Sequence, residues 1–158
     1  MTGPGGKQPG DDLTRDQPAG EDARLSLEAR IAAMTVPEKV ELASKGNREV
    51  RRILSKDASS MVARAVISSP RLSEEDVVAF ASSSLTNEEI LRAIADNRQW
   101  TSNRLIVSAI VQNPRTPPHA AIRFLAMFAN NELRVLMNNR SVGIVVRQEA
   151  KRLLAQRS

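Results

Sequence analysis

The sequence predicts an all-α chain: a short right-handed solenoid of stacked helical hairpins behind a disordered N-terminal tail. Three observations predict it. From Ala23 onward Val, Ile, Leu and Ala recur at spacings of three and four, and beyond residue 22 only two of the seven glycines remain, Gly46 and Gly143. Helix start signals alternate with stop signals at short intervals, and no strand-period run with hairpin turns interrupts them. Finally, one odd phrase is written twice: LRAIADNR at 91–98 and LRVLMNNR at 133–140, 42 residues apart.

Residues 1–22 hold five of the seven Gly and three of the eight Pro. Such a stretch buries too little apolar surface to offset its ordering entropy, so 1–22 is expected to be an acidic, disordered tail and 23–158 the helical domain. Within the domain the periodicity places helices near 24–34, 37–45, 48–56, 59–68, 74–83, 87–96, 102–112, 117–128, 132–138 and 142–156. Thr35-x-x-Glu38 and Thr86-x-x-Glu89 fit the capping box, in which a hydroxyl and a carboxylate satisfy free N–H groups at a helix start, and Ser73-x-x-Asp76 is a shorter-armed version. Thr116 and Pro117 open another helix, the proline costing nothing where the N–H is unused. Gly46, Ser69-Pro70 and Asn113-Pro114 are the stops.

The doubled phrase sits in a longer echo. Ala65-Val-Ile-Ser-Ser-Pro70 matches Ala109-Ile-Val-Gln-Asn-Pro114, each followed by Arg and then a hydroxyl residue one or two positions on. A weaker copy of the doubled phrase is Arg52-Ile-Leu-Ser-Lys-Asp57. The units fall near 47–86, 87–129 and 130–158, with the helices of 24–45 as an N-terminal cap. A helical hairpin cannot cover its own apolar face, so it stacks on the next. RLIVSAIV (104–111) and AAIRFLAMF (120–128) are apolar nearly all round and read as inner helices, whereas EEILRAIAD (88–96) is one-sided and reads as outer.

Val146-Arg147-x-x-Ala150 resembles the second helix of HEAT repeats, and the Ala-x-x-x-Asn-Pro phrase at 109–114 resembles leucine-rich-variant helical repeats, whose cluster-binding cysteines are absent here. The resemblance covers roughly 40–156 and implies an architecture, not an activity. The Asp that HEAT units carry five residues before that Val is replaced by Ser141, which places an Asp–Arg ladder between units in doubt.

Composition narrows the function. There is no Cys, no Tyr and one His, His119, so thiol nucleophiles, Cys-ligated zinc and iron–sulfur clusters are excluded, and acid–base chemistry falls to carboxylates and Lys. No catalytic residue, metal or cofactor is expected. No apolar run approaches the roughly 18 residues of a membrane span, and the basic start and apolar core of a secretory signal are missing, so a cytoplasmic protein is expected. The net charge is +5. It is uneven: Lys7 and Arg15 against Asp11, Asp12, Asp16, Glu21 and Asp22 leave the tail at −3 and the rest at +8. A basic body favours acidic partners, protein or nucleic acid.

The candidate partner-binding residues are Arg92, Arg98, Arg134 and Arg140, a basic row across successive units that Arg52 extends, with Trp100 beside Arg98 as an anchor. Each has a plainer reading. Asn97-Arg98 and Asn139-Arg140 are helix ends where Asn tolerates the left-handed conformation, the arginines solvate helix faces, and Trp100 lids the core. Phe124 and Phe128, four apart, are expected to face the core unless Phe128 emerges at the rim. The leading expectation is a non-enzymatic interaction module that holds an acidic protein surface. The alternative is a nucleic-acid-binding protein, since HEAT-like DNA glycosylases grip DNA through a basic face. Against it stand an aromatic content of 3% and no recognisable helix-turn-helix, zinc or Trp-flanked catalytic Asp pattern.

Overall fold

The computed structural model describes residues 13–16 and 20–158. Among them every regular element is helical. No helix is long and apolar enough to cross a membrane. The chain divides into two compact units, residues 1–72 and 73–158, and the division falls inside the first expected repeat, 47–86.

The first unit contains α1 (Glu21–Ala32), α2 (Val36–Lys45), α3 (Arg48–Leu54) and α4 (Ser60–Ile67). The Thr35–Glu38 capping box forms as the sequence predicts, and Asn47 and Ser59 cap α3 and α4. Helix α2 packs chiefly on α4 and also on α3, burying Ala43, Val50, Leu54, Val62, Ala63 and Val66. Helix α1 is exposed along most of its length and buries only Ile31.

Most of the expected acidic tail, 1–12 and 17–19, lies outside the described residues. Leu13–Asp16, however, are held on the start of α3. The Asn47 amide groups donate to the carbonyls of Leu13 and Arg15, and the Arg48 N–H donates to the Asp16 carboxylate at 2.6 Å. That backbone hydrogen bond, with the charges of Arg48, Arg51 and Arg71, outweighs partial desolvation and lowers the Asp16 pKa. What holds these four residues is polar: they accept hydrogen bonds from N–H groups at a helix start, which needs no apolar burial.

The second unit contains α5 (Glu74–Ser82), α6 (Glu88–Asp96), α7 (Arg98–Thr101), α8 (Arg104–Gln112), α9 (Pro118–Ile122), a 3-10 turn (Leu125–Met127), α10 (Asn130–Asn138) and α11 (Ile144–Arg157). Helix α5 packs on α6 and α8; α9 packs on α6, α8 and α11; α10 packs on α11. Each helix thus touches elements close to it in sequence, and the core runs continuously from Val107 and Val111 through Leu125 and Phe128 to Leu133, Val146 and Ala150.

One polar device recurs in both units. Arg71, in the turn after α4, donates to the carbonyls of Lys45 and Gly46 at the end of α2. Arg115, in the turn after α8, reaches the Leu85 carbonyl after α5. Arg157, at the end of α11, donates to Phe128 at 2.7 Å and Ala126 at 3.0 Å after α9. These arginines are spaced by 44 and 42 residues, the period of the sequence echo. Arg71 returns to the carbonyls of a helix end, which have no partner within their own helix, whereas Arg115 reaches a carbonyl in the turn beyond α5.

Several local expectations are corrected. The 117–128 helix is interrupted: from Phe124 the backbone bonds tighten to i→i−3, and Arg157 takes the carbonyls of Ala126 and Phe128 that a continuing α-helix would use. Thr86 does not cap α6; its hydroxyl donates to Phe80 at 2.6 Å, and Asn87 is the cap. The Ser73–Asp76 box forms, but Thr116 does not cap α9, whose N-cap is Pro117. Helix α8, expected to be an inner helix covered by its neighbours, is not covered all round, since Leu105 is 71% exposed. Gly46 is required for space rather than for a left-handed turn. A Cβ there would stand 2.8 Å from the Leu42 carbonyl and closer still to Val50.

Candidate partner-binding surface

Helix α6 buries Ile90, Leu91, Ile94 and Ala95, and this periodicity turns Arg92 outward, exposed to solvent. Helix α10 repeats the arrangement, burying Leu133 and Leu136 and exposing Arg134. The asparagines that follow do not adopt the left-handed conformation. Asn97 and Asn139 are extended, with φ of −92° and −89°. Their side chains accept the N–H of Trp100 and of Ser141, so each ends one helix and turns the chain into the next element. The turn sets Arg98 at the start of α7 and Arg140 in the α10–α11 connection, both exposed. Trp100 lies two residues after Arg98 in α7 and is half-buried.

The arginines of the second unit, apart from the half-buried Arg147, fall into two sets. Arg104 pairs with Glu132 at 2.9 Å and lies 4.1 Å from the centre of the Phe128 ring; Arg123 pairs with Asp96 at 2.7 Å; Arg152 pairs with Glu149. Hydrogen bonds from the Ala129 N–H and from Arg104 lower the Glu132 pKa, and Arg152 does the same for Glu149. Arg115 and Arg157 hold carbonyls. By contrast Arg92, Arg98, Arg134 and Arg140 make no side-chain hydrogen bond or ion pair with any described residue. Phe128, only 4% exposed, is a core residue and not a rim contact.

Helix α6 packs on α5, α7, α8 and α9, whereas α10 packs chiefly on α11. Arg134 borders a groove of about 350 Å³ between α10 and α11 that Met137, Asn138, Lys151, Leu154 and Ala155 also line. Sequence reasoning missed Lys151 and Met137. The available signal was a lysine in the middle of α11, one of few in an Arg-rich chain, but only packing tells which face of α11 it occupies.

Compared with models of known protein families, with curated proteins and with solved structures, the chain matches none. The reading of its surface therefore stands on geometry and charge alone.

Proposed function

We propose that this chain is a non-enzymatic binding module that presents a basic helical surface to an acidic protein partner. The observation that carries the reading is the set of exposed arginines with neither a carboxylate nor a carbonyl partner among the described residues, Arg92, Arg98, Arg134 and Arg140, in a unit where Arg104, Arg123 and Arg152 pair with carboxylates and Arg115 and Arg157 hold carbonyls. An unpaired guanidinium keeps all its donors free for a bidentate carboxylate. Trp100 adds an aromatic contact next to Arg98. Within residues 73–158, short-range packing and the recurring arginine-to-carbonyl bonds support a solenoid of HEAT-like character, in which equivalent positions of successive repeats line one face.

The test is a pull-down from native cytosol with the full chain and an Arg98→Glu/Arg140→Glu variant, run beside titrations of mixed DNA and RNA at several salt concentrations. Proteins retained by the wild type and lost by the variant are the expected result. A variant that keeps every partner removes these residues from the surface. Tight nucleic-acid binding whose affinity falls steeply with salt transfers the surface to phosphate recognition instead.

A further inference from the structure

We propose that the groove between α10 and α11 is a docking slot for a short acidic amphipathic helix of a partner protein. The inference deepens the protein-partner reading above and rests on it.

The two copies of the phrase present these positions differently. Arg92, Ala95 and Asp96 of α6 correspond to Arg134, Met137 and Asn138 of α10. On α6, Ala95 is 5% exposed and Asp96 pairs with Arg123 at the end of α9 at 2.7 Å, while Arg92 is exposed. On α10 the same three positions line an open groove, with Lys151, Leu154, Ala155 and Ser158 on its other side and Asn130 at the start of α10.

Charge selects the occupant. Arg134 and Lys151 border the groove, neither has an ion-pair partner among the described residues, and no Asp or Glu lines it. Met137, Leu154 and Ala155 supply the apolar part of the lining beside Asn130, Asn138 and Ser158, and Met137 adapts to varied side-chain shapes. About 350 Å³ accommodates the few side chains that one helical face projects at i, i+3 and i+4. An acidic helix with apolar residues at that spacing satisfies both the apolar lining and the rim. A second copy of this chain, which carries a net +5, brings like charge to a basic groove. A nucleic-acid strand finds no aromatic ring there on which to stack.

The test uses the full chain and a fluorescein-labelled synthetic peptide with Leu and Ala on one helical face and Glu on the other, read by anisotropy. A twin with every Leu replaced by Ser keeps the charge, and a twin with every Glu replaced by Lys inverts it. Only the first peptide is expected to bind well. Met137→Glu should weaken it by about tenfold or more, as should Lys151→Glu, an exposed position whose change does not threaten folding. Equal binding of the Ser twin, or undiminished binding to the Lys151→Glu variant, overturns the slot. So does a dimer in sedimentation that Met137→Glu dissolves, which would make a second copy the occupant. If cytosolic partners are lost with Arg98→Glu/Arg140→Glu while the peptide ignores Lys151→Glu, the basic-surface reading stands and the slot alone falls.

Discussion

Helices α6 and α10 carry the same eight-residue phrase and live in different surroundings. Both bury the Leu of the phrase completely and end at an extended Asn. Yet α6 is packed on four neighbours, and its Asp96 is fixed by Arg123, while α10 leans mainly on α11 and keeps Met137 and Asn138 at an open groove. The beginnings differ as well. Asn87 caps α6 with a neutral side-chain oxygen on the Glu89 N–H, whereas the Ala129 N–H at the start of α10 is taken by the Glu132 carboxylate at 3.0 Å. The repeat conserves what builds a helix, namely the buried apolar stripe. It varies what meets the surroundings, and that is where a binding surface arises.

The largest effects should fall on the shared feature. Leu91→Ala and Leu133→Ala each empty a fully buried position and are expected to cost about 3 kcal/mol in denaturant unfolding of the full chain. A Leu133 cost well below that of Leu91 would show that the α10–α11 end collapses onto the cavity, and would make the two copies less alike inside than their sequences. Next come the recurring arginines. Arg157 makes three hydrogen bonds, to Ala126, Phe128 and Asn130, whereas Arg115 makes one long bond of 3.5 Å to Leu85. Arg157→Ala should lower stability by about 1 kcal/mol, and Arg115→Ala by less than about half of that, because both side chains are solvent-exposed. Equal losses would mean that α9 and its 3-10 turn do not depend on the α11 clamp.

Much of this architecture was legible beforehand, for identifiable reasons. Apolar periodicity is a local signal, so Leu91 and Leu133, like the Thr35 and Ser73 boxes, could be placed from their neighbours alone. The misreadings occur where a distant group competes for a local one. Thr86 could serve Glu89 or Phe80, and the tertiary bond won. The helix expected through Phe128 lost its carbonyls to Arg157, 29 residues away. The candidate surface shows the same limit. Sequence singled out Arg92, Arg98, Arg134 and Arg140 by their repetition, and all four are exposed. It did not bring Lys151 into the groove with Arg134, because that relation depends on which helices pack.

The smallest expected effect concerns the two starts and depends on pH. The Glu132 pKa is lowered below 4.5 by the Ala129 N–H and by Arg104, so the folded state favours its ionised form. A lowered carboxylate contributes fully above its unfolded value, and the contribution drains away as the pH falls from about 4.5 through the lowered folded value. Glu132→Gln keeps much of the shape but removes the charge. Its stability deficit against the wild type should be constant near neutrality and shrink below pH 4.5, where the wild-type carboxyl is itself protonated. The matching change at α6, Asn87→Ser, keeps a neutral capping oxygen and should give a deficit that does not vary over that window. Urea unfolding of the three proteins from pH 7 to pH 3 reads both. Parallel curves for wild type and Glu132→Gln would show that the α10 start does not depend on the Glu132 charge, and would leave its lost N-cap side chain to be replaced by solvent alone.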